Sequence, residues 1–104
     1  MKRFAAHYIY LLPGKVYKQY VVELDGKNVS HLFPFNEEIE STIWLDGIIL
    51  LSSVSDYLFI ENQSFNELLQ CLCYPHEGAL YAYHLSGINL NTLVLLPSAS
   101  LRQL

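Results

Sequence analysis

Three side chains able to bind a metal stand close together at Cys71, Cys73 and His76. Thiolates and imidazoles are zinc ligands, but a closed tetrahedral site needs a fourth, and on a helix Cys71 and Cys73 point about 200° apart. The plainer reading packs one cysteine as a small apolar side chain and leaves His76 in an exposed loop. His7, His31 and His84 each fall on a strand-like segment, and three histidines suffice in principle for a catalytic zinc. A strand histidine among tyrosines is more often partly buried and hydrogen bonded, and nothing in the spacing draws these three together. Glu37, Glu38 and Glu40 could serve as acid and base, yet carboxylates crowded into a loop after Pro34 are usually solvated. Ser52, Ser53 and Ser55 lack the Gly-x-Ser-x-Gly elbow of a nucleophile, and the 5 glycines are scattered at turns rather than gathered into a phosphate loop. The expectation is a chain without catalytic residues, bound cofactor or metal.

The aromatic residues stand out more. With 8 Tyr, 5 Phe and 1 Trp, the chain carries a ring on nearly every strand-like segment. Tyrosine and tryptophan concentrate where a ring is buried and its polar tip finds a partner. A β-rich core and its wet margins absorb many of them. The remainder defines an expected interaction surface of Tyr8, Tyr10, Trp44, Tyr57, Phe59, Tyr81 and Tyr83.

The elements that must position these rings follow from alternation and turn chemistry. Residues 3–11 alternate as a first strand, although "MKRFAAHYIYLL" begins with a basic pair like a leader; no small-residue cleavage site follows, and Pro13-Gly14 reads as a turn. "VYKQYVVEL" at 16–24 and "NVSHLF" at 28–33 are joined by the hairpin pair Asp25-Gly26. "STIWL" at 41–45 and "IILLSS" at 48–53 flank Asp46-Gly47, a second expected hairpin. Phe65, Leu68, Leu69 and Leu72 then repeat at helical spacing, with Ser64 and Glu67 as a capping box and Tyr74-Pro75 as the stop, so one helix is expected at about 64–73. "ALYAYHL" alternates again, Ser86-Gly87 is expected to turn, and "NTLVLL" makes a last strand before Pro97.

Composition bounds the possibilities further. The 104 residues make one domain, well short of the roughly 250 of an enzyme barrel. At 52% hydrophobic and 15% charged, the chain has more apolar material than a small monomer easily hides, which points to an interface. A net charge of −4 with 6 basic residues argues against nucleic acid. No apolar run approaches the length of a membrane-spanning helix, and two cysteines one residue apart suit a reducing compartment, so a soluble cytoplasmic protein is expected.

A strand, a hairpin, an acidic loop and then "STIWLDGIILL" is an order that resembles the start of the metal-dependent amidohydrolases, above all their deaminase-like members. In that superfamily the first strands belong to a small composite β-sandwich. The chain then enters the catalytic barrel through a Pro-Gly-x-x-Asp-x-His-x-His segment and returns to finish the sandwich. "GINLNTLVLLPSASLRQL" at 87–104 is similar to those closing strands, so the resemblance covers about 2–53 and 79–104. It skips the middle: Leu51-Ser52 stands where the family has Pro-Gly, and Tyr57 and Phe59, or their neighbours, stand where it has the two histidines. None of the family's ligands carries over.

The resemblance implies a mainly β fold, a small composite β-sandwich of antiparallel hairpins with one short helix. It divides the single domain 1–104 into N-terminal strands (about 3–53), a helical insert (54–78) and closing strands (79–104). It also implies a non-catalytic module acting through protein association, most simply as a homodimer, with no nucleic-acid or membrane partner. The alternatives are an accessory subunit that docks in trans onto a separate amidohydrolase barrel, and a binder of a small ligand on the tyrosine-rich face.

Overall fold

A computed structural model describes residues 2–12, 14–35, 42–54, 57, 64–72 and 79–104. The elements run β1 (Lys2–Leu11), β2 (Lys15–Asp25), β3 (Asn28–Pro34), β4 (Thr42–Trp44), β5 (Ile48–Ser52), α1 (Phe65–Leu72), β6 (Tyr81–Asn89) and β7 (Val94–Gln103). The fold is mainly β, dominated by antiparallel pairing, with one short helix. No helix among the described residues is long and apolar enough to cross a membrane.

The strands form a single sheet that curls back on itself. β1 pairs with β2, β2 with β3, β3 with β6, β6 with β5 and β5 again with β1, which closes a ring. The β3–β6 seam is short, a single bridge between Asn28 and Tyr81 reinforced by the Val29 N–H donating to the Leu80 carbonyl at 2.8 Å. Outside the ring, β4 lies against β1 and β7 against β6. Closure removes most of the free edges that an open sheet presents to other chains.

Local chemistry explains the turns that form. Gly14 N–H donates to the Leu11 carbonyl across the β1–β2 connection. The β2–β3 hairpin is centred one residue later than Asp25-Gly26: Asp25 and Asn28 pair, leaving Gly26-Lys27 as the loop, and Gly26 supplies the positive φ (63°) that a tight hairpin demands. Ser64 caps α1, its Oγ accepting from the Glu67 N–H at 3.1 Å.

The expected hairpin at Asp46-Gly47 is not one. β4 and β5 both run parallel to β1, β4 beside Arg3–Ala5 and β5 beside Tyr8–Leu11, so the two are successive stretches of one line along the same neighbour. Gly47, with φ 88°, is there because a Cβ would lie 2.2 Å from the Leu85 carbonyl oxygen of β6. Ser86-Gly87 is likewise not a turn; β6 there faces a bulge in β7. β6 continues to Asn89, and Gly87 lets the Ser98–Ala99 backbone pass, where a Cβ would sit 2.7 Å from the Ala99 Cα. The turn comes at 90–93, where the Asn89 side chain accepts from the Asn91 and Thr92 N–H groups and Leu93 closes the loop at φ 56°. Pro97 is inside β7 rather than beyond the last strand, at the bulge opposite Gly87.

Two apolar layers hold this arrangement. Phe4, Ala6, Ile9, Val22, Leu24, Ile49, Leu51 and Ala82 fill the ring interior. Ile48, Leu50, Tyr83, Leu85 and Ile88 face outward and are covered by Phe65, Leu68 and Leu72 of α1. All of β5 is buried because it serves both layers by turns.

Candidate interaction surface

Of the seven rings expected at an interaction surface, six are described, and they lie in different surroundings. Tyr83 is only 1% exposed; its hydroxyl donates to the Val54 carbonyl at 2.6 Å and accepts from the Tyr57 N–H at 3.3 Å. Tyr8, Tyr10, Tyr57 and Tyr81 pack around the layer beneath the helix, with Tyr10 edge-on to Phe65 at 5.5 Å. Burial raises the Tyr10 phenol above its ordinary pKa, and neighbouring Tyr8 adds to the shift. Phe59 lies outside the described residues.

Trp44 stands apart from all of these, on the short strand β4. Its ring is edge-on to His7 (5.1 Å) on one side and to Phe35 (5.7 Å) on another. Trp44 is 41% exposed, Phe35 39% and Ile43 52%, the last pointing from the opposite face of the same strand. Among the described residues β4 has one neighbour, β1, and no strand pairs with its other edge. Phe35 and Ile43 escaped the sequence reading: one follows a proline at a strand end, and the other occupies a position that alternation assigns to the core. Both are uncovered because β4 is an edge.

The open edge of β7 is different. Its outward bulge around Pro97 interrupts any straight ladder, a device that discourages strand addition. Leu93, Val94 and Leu96 are exposed there, scattered along a bent strand.

One polar cluster was also missed. Glu23, 7% exposed, accepts from Arg3 Nε at 2.8 Å, from His31 Nδ1 at 3.0 Å and from the Ser30 hydroxyl at 3.4 Å. The Arg3 hydrogen bond holds the carboxyl below the usual glutamate range; desolvation opposes it and His31 assists. Ser30 is the extra residue of a bulge between β2 and β3, which aims its hydroxyl at the Glu23 side chain and carbonyl together. By joining Arg3 of β1, Glu23 of β2 and Ser30 and His31 of β3, the cluster works as a clasp.

The remaining chemistry-bearing residues disperse. His31 belongs to the clasp, His84 Nε2 bonds the Asp46 carbonyl, and His7 meets Trp44 edge-on. Ser52 is buried, its Oγ donating to the Leu72 carbonyl at the end of α1 and accepting from the Val54 N–H, so it ties the helix to the sheet. Cys71 is exposed on α1, while Cys73, His76, Glu37, Glu38, Glu40 and Ser55 lie outside the described residues. Among the described residues no three His, Cys, Asp or Glu side chains are grouped to hold a metal ion.

Comparison with protein-family models, curated proteins and solved structures finds no match.

Proposed function

We propose that this chain is a non-catalytic β module that acts through protein association, most simply as a homodimer joined along the β4 edge. One observation carries the reading: Phe35, Ile43 and Trp44 are all large, apolar and substantially exposed around a single open strand. Such groups at a sheet edge favour being covered, and aromatic anchors are the residues that dominate binding energy when they are. The polar groups elsewhere support the same view, since Glu23, His31 and Ser52 are engaged in holding strands and helix together.

The likeness to the amidohydrolase composite domain belongs to this proposal. Its support is that β6, from the C-terminal part, completes the ring begun by β1–β3 and β5, as a domain built from both ends of a longer chain would. In those enzymes a barrel covers part of the composite domain; here a second copy takes that place. We assign the module to the reducing cytoplasm, where cysteines one residue apart remain thiols.

Light scattering coupled to size exclusion tests the association. The reading expects a mass that climbs towards twice 12.0 kDa as concentration rises, and a return to monomer when Trp44→Ser and Ile43→Ser are combined. A monomer at every concentration would remove it.

A further inference from the structure

Beside the aromatic edge lies a groove of about 490 Å³, lined by His7, Tyr8, Lys18, Gln19, Leu90 and Asn91. It forms where the β6–β7 turn comes up against a break in the β1–β2 ladder: Ala6 pairs with Tyr20 and Tyr8 with Lys18, but His7 and Gln19 between them do not pair. Gln19 there adopts φ 55°, a left-handed conformation unusual for a side chain of its kind. No glycine relieves it and no tight turn demands it. Its carbonyl accepts from the Phe35 N–H at 2.8 Å, which anchors the kink to the end of β3. Strained backbone of this sort, fixed by its surroundings and lining a cavity, is a recurrent feature of ligand sites.

The lining has the composition of a site as well. Among the described residues the side chains of Lys18, Gln19 and Asn91 have no hydrogen-bond or ion-pair partner to occupy their donors and acceptors. Tyr8, His7 and Leu90 supply flat and apolar walls, with the Lys18 ammonium 6.0 Å from the centre of the Tyr8 ring. Among the described residues that line it, the groove has one fixed cation and no carboxylate, in a protein whose net charge is −4. An apolar cavity of a few hundred Å³ with a few convergent polar groups is the usual form of a small-molecule site.

We propose that this groove binds a small planar monocarboxylate of the aromatic-acid class. The ring lies along Tyr8 and Leu90, the carboxylate meets the Lys18 ammonium, and the Gln19 and Asn91 amides take the hydrogen bonds of ring substituents. One lysine matches one negative charge, which sets a monocarboxylate ahead of a phosphate. The proposal goes beyond the association reading and does not depend on it, because the mass of the particle and the occupancy of the groove are read separately.

The test is a titration of the ¹⁵N-labelled protein with benzoate, with benzamide as the neutral isostere and acetate as the anion without a ring. A fragment of this size binds in the millimolar range. The expected result is that benzoate moves the Gln19 and Asn91 side-chain amide resonances together with the Tyr8 and Lys18 backbone, saturably. Benzamide, acetate and the Lys18→Gln variant should each need at least about tenfold more ligand for the same shift, the loss of one charge-assisted contact. Lys18 is exposed, so its replacement leaves the fold intact, as an otherwise unchanged spectrum will verify. Absence of any shift from benzoate, equal response to acetate, or equal response from Lys18→Gln would each overturn the proposal.

Discussion

Replacing Gly47 with alanine separates a bulge packed against β6 from a hairpin tip in solvent, and Gly26 provides the internal control. Both glycines have positive φ, 88° and 63°. Both alanine variants therefore bear the left-handed backbone penalty of about 1–2 kcal/mol, partly offset by about 0.4–1 kcal/mol from the stiffer unfolded chain. At Gly26 nothing lies within 4 Å of a new Cβ, so the net cost should stay near ~1 kcal/mol. At Gly47 the Cβ would be 2.2 Å from the Leu85 oxygen and 3.3 Å from the Ser86 Cα. These atoms are backbone, held by the Ile48–Leu85 pairing, and cannot swing aside as a side-chain end could. Overpacking adds about 1–3 kcal/mol, for a total of ~2–4 kcal/mol. In a domain of this length the difference between the variants amounts to a melting temperature lower by about 10 °C or more. Urea and thermal unfolding followed by far-ultraviolet circular dichroism, at one fixed low concentration, would measure it. Equal destabilisation of the two variants would refute the parallel β4–β5 line and restore a hairpin at Asp46-Gly47.

Three further outcomes follow from the same geometry. Leu68→Ala empties a fully buried position between α1 and the sheet and should cost about 2–5 kcal/mol in urea unfolding, with Gln70→Ala on the exposed face of α1 close to neutral. Ser52→Ala leaves the Leu72 carbonyl and the Val54 N–H without their shared partner and should cost about 1–3 kcal/mol, with hydrogen exchange quickening first in α1. Glu23 has a lowered folded-state pKa, so the unfolded chain binds the proton more readily; the resulting stability is present above the ordinary glutamate range and is lost as pH falls through the depressed value. Glu23→Gln should therefore flatten the acid limb of a stability–pH profile below about pH 5, and an unchanged limb would dissociate the clasp from acid unfolding.

Strands and helix were legible because their signals are local. Alternation marks β1 through Tyr8 and Tyr10, and the Ser64 cap with Phe65, Leu68 and Leu72 marks α1. Partners of strands were not legible, since a glycine with positive φ serves a hairpin and a bulge equally. Only the nearness of Leu85 to Gly47, and of Ala99 to Gly87, decides between them, and those contacts join residues far apart in the chain. The same holds for the rings: alternation puts Tyr83 on one face of β6, but whether that face is covered depends on where α1 docks. Trp44 could be singled out as an anchor, while its ring contact with Phe35 joins residues from separate strands and needs the tertiary fold. The groove was beyond reach for a similar reason, as Asn91 meets Lys18 and Gln19 only through the closure of the ring.

The association claim has a reporter already in place, because Trp44 is the chain's single tryptophan and sits at the proposed interface. About 40% of a ring side chain that buries up to ~250 Å² is ~100 Å², or ~2.5 kcal/mol per copy as an upper bound on what covering it contributes. Trp44 emission and acrylamide quenching should therefore be measured along a dilution series with the particle mass recorded in parallel. The account predicts bluer, less quenchable emission at high concentration, changing with the same midpoint as the mass. Emission that stays constant while the mass doubles would place the interface elsewhere, and constancy of both would contradict self-association altogether.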